Sequence, residues 1–215
     1  MVALILLLWA SKKKLMNSII IYSIASYIIG SISGSLLLGK LWKIDIRKFG
    51  SNNAGGTNAF RTVGLIFGLL TVIIDISKGF MPTYFFGYLY DQNQTVMMIC
   101  ALSAVIGHVY PIFHQFKGGK GAGTVVGVIL VLVPNALMFI LPVFIVILIL
   151  TGFVGLSTMI GALTLLIYSI INLSINFTYF SLVIFLFIVF THRENIKRMI
   201  AGNENRFSKI MIFKR

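Results

Sequence analysis

Apolar residues dominate this chain in long runs, separated by short stretches rich in polar residues and glycine. The runs cover residues 17–41, 63–90, 95–107 and a block from residue 122 to residue 191. Pro134, Gly152 and the polar residues 172–176 divide this last block into four segments. Since about 20 apolar residues cross the hydrocarbon core of a bilayer as a helix, the pattern predicts an all-α integral membrane protein with about seven transmembrane helices.

Composition agrees with a membrane protein and limits its chemistry. The 215-residue chain is 58% hydrophobic and 11% charged, with a mean hydropathy of +0.99. Its five acidic residues are scattered and its single cysteine, Cys100, lies in an apolar run, so no metal site, cofactor or disulfide framework is expected. The net charge of +13 is segregated into the polar stretches, which favours a role in topology and anion binding over nucleic-acid binding.

The basic residues also predict an orientation. Apart from the lysines of residues 12–14 and Lys78, every Lys and Arg falls on one side of a seven-span arrangement. Because cytoplasmic loops are enriched in these residues, the two long polar stretches and the C-terminal tail are expected at the cytoplasmic face. The lysines of residues 12–14 break this rule. We therefore interpret residues 1–15 as a possible leader from a start codon called too early, followed by a single domain, residues 16–215.

The polar stretch at residues 107–124 reads GHVYPIFHQFKGGKGAGT. Its glycines allow backbone N–H groups to turn towards one point, and a helix beginning near Ala122 would add the positive end of its dipole. Together with two lysines, these features predict a phosphate-binding loop; the alternative is a tight cytoplasmic turn that obeys the positive-inside rule. The residues assigned to phosphate binding here are His108, Lys117, Gly118, Gly119, Lys120, Gly121 and Thr124.

A second polar stretch, residues 42–61, places hydrogen-bonding side chains among glycines. The candidate ligand contacts are Ser51, Asn53, Thr57 and Asn58. Arg61 follows where the chain re-enters apolar sequence, so its guanidinium would be partly desolvated and would favour an anion. An exposed loop rich in Asn and Gly is the alternative interpretation.

Two features lie at the edge and in the depth of the predicted membrane region. If the last segment continues as a helix, His192 and Asn195 share one face at the membrane edge. Asp75 and Lys78 lie three residues apart in the second run, and charges at that depth need partners. A buried ion pair is the favoured interpretation, and a ligand contact by Lys78 is the alternative.

Three stretches in matching order resemble motifs of the bacterial acyl-phosphate:glycerol-3-phosphate acyltransferases. Residues 45–61 read DIRKFGSNNAGGTNAFR and resemble the family pattern DIR-x-x-GSGN-x-GATN-x-x-R, from which Asn52 and Gly56 depart. Residues 107–124 resemble GH-x-x-P-x-F-x-x-FKGGKG-x-x-T, with Gly123 where the family usually has Ala. The tail resembles HR-x-NI-x-R followed by G-x-E, ending at Glu204.

The resemblance implies transfer of a fatty acyl group from acyl phosphate to the primary hydroxyl of glycerol 3-phosphate, giving lysophosphatidic acid at a bacterial inner membrane. The catalytic residues it implies are Ser51, Arg61, His192 and Asn195. The donor is already activated, so direct transfer is expected, with either His192 or an acyl-phosphate oxygen taking the proton. The expected partners are the two substrates and membrane lipid.

Two other classes of function remain as alternatives. A membrane transporter of an organic phosphate would carry basic residues along a path through the membrane, whereas only Asp75 and Lys78 lie at depth. A phosphotransferase acting on lipid alcohols would need a carboxylate-rich metal site, which five scattered acidic residues do not supply.

Overall fold

The computed structural model describes residues 16–17, 19–207 and 211, and the regular elements of this part of the chain are helices. In chain order they are α1 (residues 19–30), α2 (Gly34–Trp42), α3 (Gly56–Thr62), α4 (Leu65–Pro82), α5 (Gln94–Val109), α6 (Ala122–Leu132), α7 (Leu137–Thr151), α8 (Val154–Asn172), α9 (Ile175–Thr191) and α10 (Arg193–Ile200). Shorter pieces are the π-helical continuation of α4 at Thr83–Asp91 and the 3-10 turns Ile46–Lys48, Ile112–His114 and Pro134–Ala136. The expected leader, residues 1–15, lies outside the described residues.

Helix lengths confirm the all-helical membrane class and refine the predicted number of spans. Within the described residues, five stretches are long and apolar enough to cross a bilayer: Ile19–Trp42, Leu65–Leu89, Gln94–His114, Pro134–Thr151 and Val154–Asn172. Helices α9 and α10 add a sixth if they form one span bent by 53°. The remaining expected segment, α6, has 11 residues. At 1.5 Å per residue it rises about 17 Å, well short of the roughly 30 Å hydrocarbon core.

Local features of the sequence explain where the apolar chain is interrupted. Pro134 lacks an N–H group and starts the 3-10 turn between α6 and α7. Gly152 adopts a left-handed φ of 72° at the end of α7, so the chain turns directly into α8. At the start of α5, the Asn93 side chain accepts hydrogen bonds from two backbone N–H groups and caps the helix. After these interruptions α7 packs against α8, and α8 against α9.

Helix α6 packs very closely against α4, and glycines make this possible. A methyl group added at Gly79 would overlap the carbonyl oxygen of Thr124, and one added at Gly127 would overlap the carbonyl oxygen of Ile76. The two backbones are therefore in direct contact on both sides of the crossing, as small residues permit between membrane helices. This crossing fixes the start of α6 beside the middle of α4.

Two apolar clusters and a lipid-facing surface complete the architecture. The larger cluster joins α5, α6, α8 and α9 through residues such as Val105, Val128, Leu165 and Ile184. The smaller one packs Ile46, Ala54, Ala59 and Phe67 beneath the polar stretch at residues 42–61. Outward-facing apolar side chains stay uncovered, and in α7 only Ile140 is buried. A bilayer would cover that surface.

Candidate active site

A cavity of about 290 Å³ lies where the two polar stretches and the tail meet. The predicted site residues on its wall are Ser51, Asn53, Thr57, Asn58, Arg61, His108, Lys120, His192 and Asn195. The structure therefore brings three stretches that are remote in sequence into one site.

The remaining predicted residues of the glycine-rich loop lie off the cavity wall. These are Lys117, Gly118, Gly119, Gly121 and Thr124. Lys117 is exposed and Thr124 is buried. The N–H groups of Gly118 and Gly119 donate to the carbonyl oxygens of Val109 (3.1 Å) and His108 (3.2 Å). This corrects the expectation that these two amides converge on a ligand, because the end of α5 already occupies them.

The two glycines instead allow the loop to fold tightly onto α5. A methyl group at Gly118 would overlap the carbonyl oxygen of His108, and one at Gly119 would overlap the His108 imidazole ring. Gly121, with a φ of +91°, then starts α6. The loop thus delivers Lys120 to the cavity wall together with Ala122 and Gly123, the first residues of α6.

Asn58 organises the polar stretch at residues 42–61 from within. Its side-chain amide group donates to the carbonyl oxygens of Ile46 (3.2 Å), Phe49 (3.0 Å) and Asn53 (3.0 Å), and its Oδ1 accepts from the N–H of Ser51 (2.9 Å). With four partners, this amide is engaged by the backbone around it. Asn58 therefore shapes the loop that presents Ser51, Asn53 and Thr57 to the cavity.

Arg61 is a partly desolvated cation at the cavity wall. Its guanidinium donates to the carbonyl oxygen of Asn205 (3.2 Å) and lies 5.6 Å from the centroid of the Phe207 ring. Burial is the main factor that lowers the pKa of Arg61, while Glu204 opposes this effect. Within the described part of the chain, no carboxylate lies within ion-pair distance of Arg61. Its charge remains available to an anionic ligand.

Lys120 begins a chain of hydrogen bonds that runs through the tail. Its ammonium group donates to Oδ1 of Asn195, whose Nδ2 donates to Glu204 (2.9 Å). The other oxygen of Glu204 accepts from Nε of Arg198 (2.7 Å). Burial, reinforced by the nearby charges of Arg198 and Arg61, lowers the pKa of Lys120 to about 8. Lys120 is still mainly protonated at neutral pH.

The tautomer of His192 follows from its contact with α9. Nδ1 lies 2.8 Å from the carbonyl oxygen of Ile188, and a carbonyl oxygen can only accept a hydrogen bond. Nδ1 therefore carries the proton, and Nε2 keeps its lone pair. The chain bends at His192 instead of continuing as one straight helix, yet His192 and Asn195 both line the cavity.

A buried ionic cluster lies behind the cavity, as the sequence suggested for Asp75 and Lys78. Nζ of Lys78 is 3.1 Å from Oδ1 of Asp75 and donates to the carbonyl oxygen of Ile32 (2.7 Å) between α1 and α2. Nδ1 of His108 is 3.5 Å from the same Asp75 oxygen. Asp75 and His108 reach the cavity wall, whereas Lys78 does not.

Sequence reasoning did not place Asp75 or Glu204 at the site. A carboxylate inside an apolar run was the available signal for Asp75, because such residues usually face an interior cavity. Glu204 lies in the G-x-E part of the tail motif, but its two hydrogen bonds depend on how the tail folds back. Among the described residues, no three His, Cys, Asp or Glu side chains are grouped as a metal ion would require.

The other end of the cavity is an apolar groove between α6, α7 and α8. Its wall includes Ile129, Ile140, Phe144, Gly161 and Leu165. From Gly155 to Leu165, α8 descends about 15 Å, which is half the thickness of a typical hydrocarbon core. The groove is thus about as long as one leaflet is thick. Fold and site together define a membrane-embedded protein that can hold an anionic group beside an apolar chain.

Comparison with known proteins identifies the family. The glycerol-3-phosphate acyltransferase family model matches residues 20–202. The chain is 39% identical over 194 residues to the glycerol-3-phosphate acyltransferase of Finegoldia magna, an alignment that covers 89% of this chain and 97% of that protein. It is 40% identical over 184 residues to glycerol-3-phosphate acyltransferase 2 of Bacillus anthracis, with 85% and 96% covered.

Solved structures agree with these relatives. The crystal structure of PlsY (YgiH), an integral membrane glycerol 3-phosphate acyltransferase, in its glycerol 3-phosphate form matches with a TM-score of 0.83 and 33% identity, covering 88% of this chain and 96% of that one. The lysophosphatidic acid form gives a TM-score of 0.81 at 32% identity, covering 88% and 95%. The chain belongs to the glycerol-3-phosphate acyltransferase family. It is a multispanning acyltransferase of phospholipid biosynthesis, so the transporter interpretation is set aside.

Proposed function

We propose that this protein transfers a fatty acyl group from acyl phosphate to the primary hydroxyl of glycerol 3-phosphate, releasing lysophosphatidic acid and inorganic phosphate. The main support is a single cavity with Arg61 and Lys120 at one end and the apolar groove at the other. Such a cavity suits one substrate with a phosphate group and another that carries both a phosphate and a long apolar chain. The related PlsY structures are of glycerol 3-phosphate and lysophosphatidic acid forms.

In this proposal the two cations bind the phosphate groups. Charge-assisted hydrogen bonds from arginine and lysine to phosphate are stronger than neutral ones, especially at partly desolvated positions. The first N–H groups of α6, at Ala122 and Gly123, have no acceptor within the helix and lie on the cavity wall. They are suited to stabilise negative charge on the acyl carbonyl oxygen as the tetrahedral intermediate forms.

The chemical step is a direct substitution at the acyl carbon. The primary hydroxyl oxygen forms the new ester bond, the bond from the acyl carbon to the phosphate oxygen breaks, and the phosphate leaves with the electron pair. The hydroxyl proton passes either to Nε2 of His192, whose lone pair is available, or to an oxygen of the departing phosphate. Ser51 and Asn195 would hold the substrates in position.

We further propose that the site faces the cytoplasm in a seven-pass arrangement of the bacterial inner membrane. Helix α6 starts at the cavity, and α7 returns to the same end, where the N–H of Phe207 donates to the carbonyl oxygen of Gly152 (2.8 Å). Helix α6 leads away from the cavity end and α7 leads back to it. Although α6 is short, the pair therefore keeps the loops on the same sides of the membrane as seven full passes would. The basic loops and tail then obey the positive-inside rule.

The test is an assay of the purified protein in detergent with palmitoyl phosphate and glycerol 3-phosphate. We expect phosphate release to match the lysophosphatidic acid detected by mass spectrometry. Arg61→Ala should lower kcat/KM by more than tenfold, consistent with the loss of a charge-assisted contact worth about 1.5–3 kcal/mol. Lys197→Ala is the matched control, because its side chain is 70% exposed and lies away from the cavity. Turnover with palmitoyl coenzyme A but not with palmitoyl phosphate would refute the proposed donor.

A further inference from the structure

A carboxylate lines a cavity that, in the proposed function, receives two anions. Asp75 is only 3% exposed and lines the cavity. Its Cβ lies close to Gly123 at the start of α6, where a methyl group added to the glycine would be 3.1 Å away. Asp75 therefore lies beside the positive end of α6.

The two oxygens of Asp75 have different surroundings. Oδ1 faces Lys78 at 3.1 Å and His108 at 3.5 Å. Oδ1 is buried and has these ion-pair contacts but no hydrogen bond. Among the described residues Oδ2 has neither an ion-pair contact nor a hydrogen bond, and it is not among the fully buried unpaired atoms. Glu204 provides the contrast, since Asn195 and Arg198 occupy both of its oxygens. Both carboxylates line the cavity, and among the described residues Asp75 is the one of the two that has an oxygen free to accept a hydrogen bond from a ligand.

The ligand group that this acceptor suits is a hydroxyl. An ionised carboxylate only accepts hydrogen bonds, so a phosphate bearing no proton would be repelled and an O–H group would be attracted. The buried Lys78 ammonium compensates the charge of Asp75. The ion pair therefore does not repel anionic ligands elsewhere in the cavity as an unpaired carboxylate would. Of the two proposed substrates, only glycerol 3-phosphate carries hydroxyl groups.

We propose that Asp75 is a specificity-determining residue that accepts a hydrogen bond from the C2 hydroxyl of the alcohol substrate. This inference rests on the proposed function. The contact orients the glycerol backbone so that the primary hydroxyl faces the acyl carbon, while Arg61 and Lys120 hold the phosphate groups. Loss of a hydrogen bond to a charged acceptor corresponds to a factor of about 10 to 150 in kcat/KM.

The experiment compares glycerol 3-phosphate with 3-hydroxypropyl phosphate, which keeps the primary hydroxyl and the phosphate but lacks the C2 hydroxyl. The wild-type enzyme should favour glycerol 3-phosphate in kcat/KM by at least tenfold. In Asp75→Asn, a weaker neutral acceptor, the preference should shrink. In the charge-balanced double variant Asp75→Leu with Lys78→Met, it should fall below threefold.

The control variant is Lys197→Ala, which should keep the full preference because Lys197 lies away from the cavity. A well-folded double variant that retains the wild-type preference would show that Asp75 serves only the ion pair. Should the Asp75 variants fail to fold, the wild-type comparison still decides, since a preference below threefold overturns the inference. Absence of any lysophosphatidic acid from the wild-type enzyme would instead count against the proposed function.

Discussion

Lys120 combines burial with a direct link to the tail, and this makes its charge sensitive to pH. Its pKa is lowered to about 8, chiefly by burial and then by the neighbouring cations. If the ammonium form binds phosphate, binding is intact below about pH 8 and is lost as the pH rises through that value. We expect kcat/KM for glycerol 3-phosphate to decline above pH 8, as measured in a series of buffers at constant ionic strength.

Lys120→Arg is the control for this pH dependence. Arginine remains protonated throughout the range, so the decline near pH 8 should disappear even if the variant is slower overall. An unchanged decline in that variant would assign the titration to another group.

Site residues were predictable from the sequence where a charged or titratable side chain stands next to an apolar run. Arg61, Lys120 and His192 stand out as polar residues at the ends of apolar runs, and all three line the cavity. The part played by Asn58 was not predictable, because its four backbone partners depend on how residues 46–53 fold. The same holds for Gly118, whose N–H group the end of α5 takes up.

Among the helices, the crossing of α4 and α6 is the contact on which the start of α6 depends. Gly127→Ala would place a methyl group on the carbonyl oxygen of Ile76. The helices would have to separate, at a cost of about 1–3 kcal/mol. We expect a lower thermal unfolding midpoint in detergent and reduced activity, because Ala122 and Gly123 would move with α6.

Gly161→Ala is the matched control for stability. A methyl group at that position would lie 3.4 Å from a side-chain carbon of Ile140, which is an ordinary contact. Its unfolding midpoint should stay near that of the wild type. Equal losses in both variants would show that the α4–α6 crossing has no special importance.

The sequence predicted the existence of the helices well and their lengths less well. Each expected segment is present as a helix, because long apolar runs leave the backbone no other way to satisfy its hydrogen bonds in a bilayer. The short length of α6 was not predicted, because Val133 and its neighbours are as apolar as the residues within a full-length transmembrane helix. Pro134, which lacks an N–H group, ends the helix early.

The orientation of the protein in the membrane can be tested with single cysteines in a Cys100→Ala background. Lys197 is exposed near the cavity end of the molecule, whereas Asn172 is exposed at the turn between α8 and α9. We expect Lys197→Cys to react with a membrane-impermeant thiol reagent only in inverted vesicles, and Asn172→Cys only in intact spheroplasts. The reverse pattern would place the site outside the cytoplasm.

The assembled site also predicts that no acyl-enzyme forms. Ser51 lines the cavity, but its hydroxyl has no hydrogen bond to a described basic side chain that could activate it. Enzyme quenched after mixing with acyl phosphate alone should therefore show no stoichiometric acyl adduct by intact-mass spectrometry. An adduct on Ser51 that transfers its acyl group at the rate of turnover would contradict direct transfer. Chelators should not inhibit the enzyme.

The fold-back of the tail has a consequence for how the enzyme is made. Arg61 comes early in the chain, yet its guanidinium binds the carbonyl oxygen of Asn205, and Phe207 is tied to Gly152. Membrane insertion proceeds from the N-terminus as the ribosome elongates the chain. The reactive centre therefore cannot exist until nearly all of the described chain has been translated and α9 has inserted. An interrupted translation product would lack the assembled cavity, so acyltransferase activity itself reports that synthesis reached the tail.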